Sequence, residues 1–275
     1  MCIKSIEIND RRGRIERIEE FIRKLFVRWL RHRISKEINR QRLKLIWNMW
    51  GYWSLFSIKT LSFLDKLILI VKFLVIDWNV LHAHKPREIS VVCCSLADRF
   101  AYPGEVLLEA GCWRGGSSAK FSLICSKLGY RLCIYDSFKG VEQMYNGEEE
   151  GQGYDFSGEY VASEDTLKEN VARYGNIDLC SIYKGWFTHT LATGPVPYNV
   201  RVAFIDCDLA KGTKEALLGI VPSLVEDGWI FSQDFHIRPV QQVLCDPTTW
   251  RHFGKDVPTI TRVGHCLAYL QWKRE

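Results

Sequence analysis

The chain has 275 residues, 47% hydrophobic and 25% charged, a balance that excludes fibrous and wholly disordered classes. The net charge is +5, yet residues 1–45 carry fourteen basic and six acidic side chains, so that arm is +8. The remainder, 23 basic minus 26 acidic, is −3, and the asymmetry suggests two parts with different partners. Ten cysteines include the neighbours Cys93 and Cys94 but no Cys-x-x-Cys pair. Reduced, buried thiols in a cytoplasmic protein are expected, with neither a disulfide framework nor a structural zinc site. Met1–Asp10 is charged and lacks an apolar core, so it does not read as a secretory signal.

From Ile15 to Ile76 there is no proline and one glycine, and the apolar residues recur at helical spacing. Ile18, Phe21, Ile22, Leu25, Phe26 and Leu30 fall on one side of such a helix. Lys59, Asp65, Lys66 and Lys72 interrupt the later run too often for a membrane span, which needs about 20 apolar residues. Residues 1–78 therefore read as a basic helical N-terminal extension. It packs on the following domain, on a second subunit of a homo-oligomer such as a dimer, or peripherally on an anionic membrane surface.

Val80–Glu88 reads as a polar connection, and residues 79–275 as an α/β domain. Strands are expected at Glu105–Glu109, Arg131–Tyr135, Ile177–Tyr183, Val202–Ile205 and Trp229–Ser232. Helices are expected at Ser117–Leu128, Glu164–Tyr174 and Thr213–Leu224, with a closing hairpin of Thr259–Val263 and His265–Leu270. This alternation predicts a doubly wound, mainly parallel sheet, whose ligands bind outside the carboxyl ends of the strands.

The residues after each strand carry the chemistry. Glu109-Ala-Gly-Cys-Trp-Arg-Gly-Gly-Ser117 departs from a dinucleotide fingerprint, because Trp113 stands where a glycine lets pyrophosphate approach. A nucleoside without phosphates, such as S-adenosylmethionine, suits that turn better, although a nicotinamide-dependent oxidoreductase stays open as an alternative. Asp136 ends the second strand, where a carboxylate can accept from both ribose hydroxyls; a turn cap is its plainer role. After the fourth and fifth strands come Asp206, Asp208, Asp234 and His236. Three carboxylates around one crevice suit a hard divalent cation, and a histidine there suits a general base. Val141–Ser163 reads as a mobile lid with Tyr145, Tyr154 and Tyr160, or equally as a surface loop.

Taken in order, Glu109-x-Gly-x-x-x-Gly-Gly-Ser117, Asp136-Ser-Phe-Lys-Gly140, Lys184-Gly-Trp-Phe187 with Thr190-Leu191, and Asp206-x-Asp-Leu209 resemble the macrocin O-methyltransferase family. The similarity covers about residues 79–270, including Asn79-Val-Leu-His-Ala-His84. The resemblance implies a Rossmann-like class I methyltransferase sheet and S-adenosylmethionine-dependent methylation of a hydroxyl on a sugar or natural product. It places Glu109, Gly111 and Ser117 on the methionine side, Asp136 and Ser137 at the ribose, and Gly185 and Trp186 near the adenine. It also implies magnesium between Asp206 and a pair of aspartates after the fifth strand. Here that pair is Gln233-Asp234, so Asp206 and Asp234 remain as metal ligands, and His236, Asp208 and Asp206 as catalytic groups. Nucleic acid is not an expected partner, because the −3 domain has no basic-aromatic motif. A non-catalytic scaffold working through the basic arm is the reading from another class.

Overall fold

The computed structural model describes residues 47–143 and 156–272. Seven strands form one sheet: β1 (Glu105–Ala110), β2 (Arg131–Asp136), β3 (Cys180–Lys184), β4 (Asn199–Ile205), β5 (Leu224–Ser232), β6 (Thr261–Val263) and β7 (Leu267–Gln271). Their order is β3-β2-β1-β4-β5-β7-β6. The first five run parallel, while β7 pairs antiparallel with both β5 and β6. The order reverses between β1 and β4, so their carboxyl ends flank a crevice.

The helices are α1 (Phe63–Asn79), α2 (Pro86–Leu96), α3 (Gly116–Leu128), α4 (Glu164–Tyr174), α5 (Phe187–Thr190), α6 (Ala210–Ile220), α7 (Arg238–Cys245) and α8 (Pro247–Arg251). Alternate residues of each strand feed two separate cores. Leu107, Ile134 and Phe204 join Phe73 of α1, Val92 of α2, Phe121 of α3 and Leu167 of α4 on one face. Leu108, Tyr135 and Ile205 join Leu217 of α6, Val240 of α7 and Trp250 of α8 on the other. The period-2 side-chain alternation of a strand is what makes both faces apolar and doubly covered.

The long helical reading of Ile15–Ile76 needs correction where it can be compared. A 3-10 turn at Trp53–Ser57 and an extended link interrupt it, and α1 starts afresh after Ser62. The Ser62 side chain caps Asp65 N–H, and the spacing Ser-x-x-Asp is the local signal for that start. Tyr52, Leu55, Ile70, Phe73 and Ile76 are buried in the same core as the sheet residues, so this stretch packs on the domain. The opposite side of α1 is apolar and exposed at Leu64, Val71, Val75 and Trp78. The stripe from Ile18 to Leu30 lies outside the described residues. No helix among the described residues is long and apolar enough to cross a membrane.

Val80–Glu88 is not all connection: Pro86 opens α2, and Glu88 at its third position accepts the Lys85 N–H. Proline at a first helical position followed by such a glutamate is a helix start. Ile177–Leu179 is a 3-10 turn, and β3 begins only at Cys180. Likewise α6 spans Ala210–Ile220, because Pro222 lies in a separate 3-10 turn at Val221–Ser223. β5 then runs back to Leu224 through the exposed Glu226 and Asp227. All nine described cysteines are free thiols.

Candidate active site

The loop between β1 and α3 forms the floor of a cleft of about 280 Å³. Gly111 has φ +91°, and a Cβ there would lie 1.8 Å from the Asp206 carbonyl oxygen. Only glycine lets β1 and β4 end this close together. Trp113 also takes a positive φ of 46°, an unusual conformation for a side chain of its size. Asp136 pays for it with hydrogen bonds. Its Oδ2 accepts the backbone N–H of Cys112 at 2.8 Å and of Trp113 at 3.2 Å, while Oδ1 accepts Phe138 N–H at 2.7 Å. Asp136 thus caps turns on both sides while still lining the cleft.

Glu109 stands one layer lower. It is fully buried, does not line the cleft, and accepts the Ser118 hydroxyl on Oε2 at 2.5 Å. Its Oε1 is buried without a partner, and burial raises the carboxyl pKa to about 7 against the pull of Ser117 and Ser118. Ser117 lines the cleft at the start of α3. Ser137 does so beyond β2, its hydroxyl bound within the turn to Gly140 O and Lys139 N–H. Gly185 N–H donates to Asp136 O at 2.9 Å, which sets Trp186 on the cleft wall.

The acidic side of the cleft comes from β4 and β5. Asp234, buried, accepts the backbone N–H groups of Cys207 at 2.9 Å and Asp208 at 2.8 Å on Oδ2. It thereby braces a turn in which Asp208 has φ +61°. Asp206, Asp208, Gln233, Asp234 and His236 all line the cleft. Burial, then the charges of Asp234 and Asp208, push the Asp206 carboxyl well above the usual carboxylate range. Its carboxyl and those of Asp208 and Asp234 are not among the described three-ligand groups whose atoms all lie within 4.8 Å. His236 is exposed at the mouth, its ring centroid 5.4 Å from that of His265; burial first, then His265, lowers its pKa.

Gln233 stands where the family resemblance implies a carboxylate, and the structure gives it a position. Its Nε2 donates to the buried Glu88 carboxylate at 2.8 Å, and because a carboxylate only accepts, the amide cannot be turned the other way. Oε1 is left buried and unpartnered. The pairing of α2 with β5 that brings Glu88 to Gln233, 145 residues away, has no local signal. Tyr160, from the expected lid, is on the cleft with its ring edge-on to Trp113, centroids 5.2 Å apart. Tyr145 and Tyr154 lie outside the described residues.

The family model described as macrocin O-methyltransferase (TylF) matches residues 93–268, well over half of the chain. The chain belongs to that family. A curated relative, the 8-demethyl-8-(2,3-dimethoxy-alpha-L-rhamnosyl)-tetracenomycin-C 4'-O-methyltransferase of Streptomyces olivaceus, is 28% identical over 152 residues. That match takes in 52% of this chain and 58% of the relative's length. The O-methyltransferase NovP superposes with a TM-score of 0.60 at 20% identity, covering 76% of this chain and all of NovP. The calicheamicin methyltransferase CalS11 does so at 0.53 and 17% identity, covering 82% and 92%. At these identities the two structures establish the fold, and it is the class I O-methyltransferase fold that the sequence motifs imply.

Proposed function

We propose that the protein transfers a methyl group from S-adenosylmethionine to a hydroxyl of a sugar or natural-product acceptor. The observation that carries this is one cleft holding two different ends. One end is glycine-built and clamped by Asp136; the other is acidic and formed by Asp206, Asp208, Asp234 and His236. The name of the curated relative, a rhamnosyl 4'-O-methyltransferase, supports a glycosylated acceptor.

The residues fit the cofactor. Gly111, Ser117, Asp136, Ser137 and Trp186 line one cleft, and beneath them Glu109 keeps a buried oxygen, Oε1, without a hydrogen-bond partner. Glu109, Gly111 and Ser117 then serve the methionine end, Asp136 and Ser137 the ribose, and Gly185 and Trp186 the adenine. When bound, the cofactor supplies an electrophilic methyl on sulfonium. The chain's part is to align an oxygen with it and to remove the proton from that oxygen. Asp206 and Gln233 Oε1 orient the acceptor's hydroxyls, with Asp208 or His236 receiving the proton.

A divalent cation fits as well. The orphaned Gln233 oxygen and the crowded Asp206 carboxyl are hard oxygen donors, and with Asp234 they would hold magnesium, which polarises a bound hydroxyl. The exposed apolar row on α1 supports a contact of residues 1–78 with a second copy of the chain or a membrane surface, in a cytoplasmic enzyme.

The test is turnover of a panel of glycosylated aglycones with labelled S-adenosylmethionine, with and without magnesium. Label in a hydroxyl-bearing product supports the reading. Saturable cofactor binding without transfer to any oxygen would argue for another reaction.

A further inference from the structure

Exposed apolar surface is concentrated in one part of the molecule. Of the fourteen large apolar side chains that stand exposed among the described residues, eleven lie between Trp47 and Leu81. Single exposed hydrophobics are ordinary, whereas a contiguous patch marks a contact.

The patch is built on α1, which is apolar on both sides. Leu69, Phe73 and Ile76 are buried in the core that covers the sheet. Leu64, Ile68, Val71, Val75 and Trp78 recur at alternating spacings of four and three, which sets them in one stripe along the other side. On that stripe Leu64, Val71 and Trp78 are 65%, 58% and 58% exposed. A helix apolar all round is ordinarily covered all round.

Aromatic rings carry the patch on from the start of α1. Phe63 lies 5.7 Å from Phe56, Phe56 5.1 Å from Trp53, and Trp53 5.7 Å from Trp50, centroid to centroid. At the other end Leu81 is exposed and also lines the cleft, so the apolar face reaches the proposed active site.

Charge indicates what covers this face. Between Trp47 and Glu88 the chain has three carboxylates, and none of them is exposed. Asp65 is half-buried and accepts the Lys127 ammonium at 2.6 Å. Asp77 is buried in an ion pair with Lys120, and Glu88 is buried on the Gln233 amide. The cations are placed the other way: Lys59, Lys72, Lys85 and Arg87 are all exposed. The arm that leads into this face, residues 1–45, adds +8, while the remainder of the chain is −3. An apolar, tryptophan-bearing and positive surface is complementary to the headgroup region of an anionic bilayer. A second copy fits it less well, because a two-fold contact sets the patch on itself and brings like charges together.

We infer that the outer side of α1, with the aromatic run from Trp50 to Phe63 and with Lys59 and Lys72, docks on an anionic membrane surface. This narrows the contact proposed above for residues 1–78 to one partner, and it involves no step of methyl transfer. The helix lies in the interface and does not cross it, as its length and charges require.

The test is sedimentation of the full chain with vesicles of phosphatidylcholine alone and of equal parts phosphatidylcholine and phosphatidylserine. Wild type is expected to sediment with the mixed vesicles and to stay in solution with the neutral ones. The double variants Lys59→Glu with Lys72→Glu, and Val71→Glu with Val75→Glu, should each weaken binding about tenfold or more. Thermal unfolding at the wild-type temperature shows that these surface variants are folded, and Trp78→Ser, a milder change on the same stripe, should weaken binding several-fold. Wild type that ignores the mixed vesicles, or binding that survives either double variant, would overturn the assignment. So would a dimer in light scattering that Val71→Glu with Val75→Glu dissociates, since a second copy would then cover the face. Neither result bears on the methyltransferase reading, which cofactor titration tests separately.

Discussion

Two walls of one cleft bury carboxylates in opposite ways. On the α1 side, Asp77 is almost sealed from solvent, yet hydrogen bonds from His82 and the charge of Lys120 outweigh burial and hold its pKa below the usual value. In the cleft, Asp206 gains no such cation; burial, Asp234 and Asp208 all push it the other way. The first wall is satisfied from within the chain and fixes structure. The second keeps the raised Asp206 carboxyl beside Gln233 Oε1, a buried oxygen without a hydrogen-bond partner, and it is there that the proposed acceptor would bind. Buried charge that the fold completes marks architecture, whereas buried charge that the fold leaves open marks a site.

Breaking the completed wall should cost the most. Lys120→Met leaves the Asp77 carboxylate buried beside fewer donors and should destabilise the protein by about 3–5 kcal/mol. Urea unfolding would measure it, and a loss under about 1 kcal/mol would mean the pair is dispensable.

Next in size is Glu109, the carboxyl the fold leaves half bonded. Its folded pKa of about 7 lies above the reference value of 4.5, so its contribution to stability is full below pH 4.5 and lost as the pH rises toward 7. The swing is about 3 kcal/mol. Glu109→Gln should flatten the pH dependence of thermal unfolding over that window and raise stability at pH 8 relative to wild type. A profile as steep as the wild type's would place the titration elsewhere.

Asp136→Ala removes the acceptor shared by Cys112, Trp113 and Phe138 N–H groups and should weaken cofactor binding about tenfold or more, by calorimetry. The smallest change belongs to the exposed His236. His236→Ala should lower turnover several-fold without altering cofactor affinity or stability, as expected where a base acts at a wet rim. Equal turnover would leave the proton to Asp208.

Much of the sheet was legible because strand and helix periods differ and the links are short. Glu105–Glu109, Arg131–Tyr135 and the closing hairpin emerge from alternation and glycine punctuation alone. Errors fell where local polarity hid tertiary burial. The exposed Glu226 and Asp227 masked the first half of β5, and Pro86 with Glu88 marked a helix inside a segment read as connection. At the site, Glu109, Asp136 and the Asp206–Asp208 turn announce themselves by following strands. The Asp77–Lys120 pair does not, since 43 residues separate its partners and only the packing of α1 on α3 joins them. Gln233 was visible as a departure from a pattern; its orphaned oxygen was not, because that depends on Glu88 holding the amide from another helix.

The measurement that goes most directly to the cofactor is calorimetric titration of the wild-type chain with S-adenosylmethionine and S-adenosylhomocysteine, repeated with Asp136→Ala. One saturable site per chain for both ligands, weakened about tenfold or more by the substitution, is the expected result. Folded wild-type protein that takes up neither ligand would contradict a methyltransferase built on this cleft.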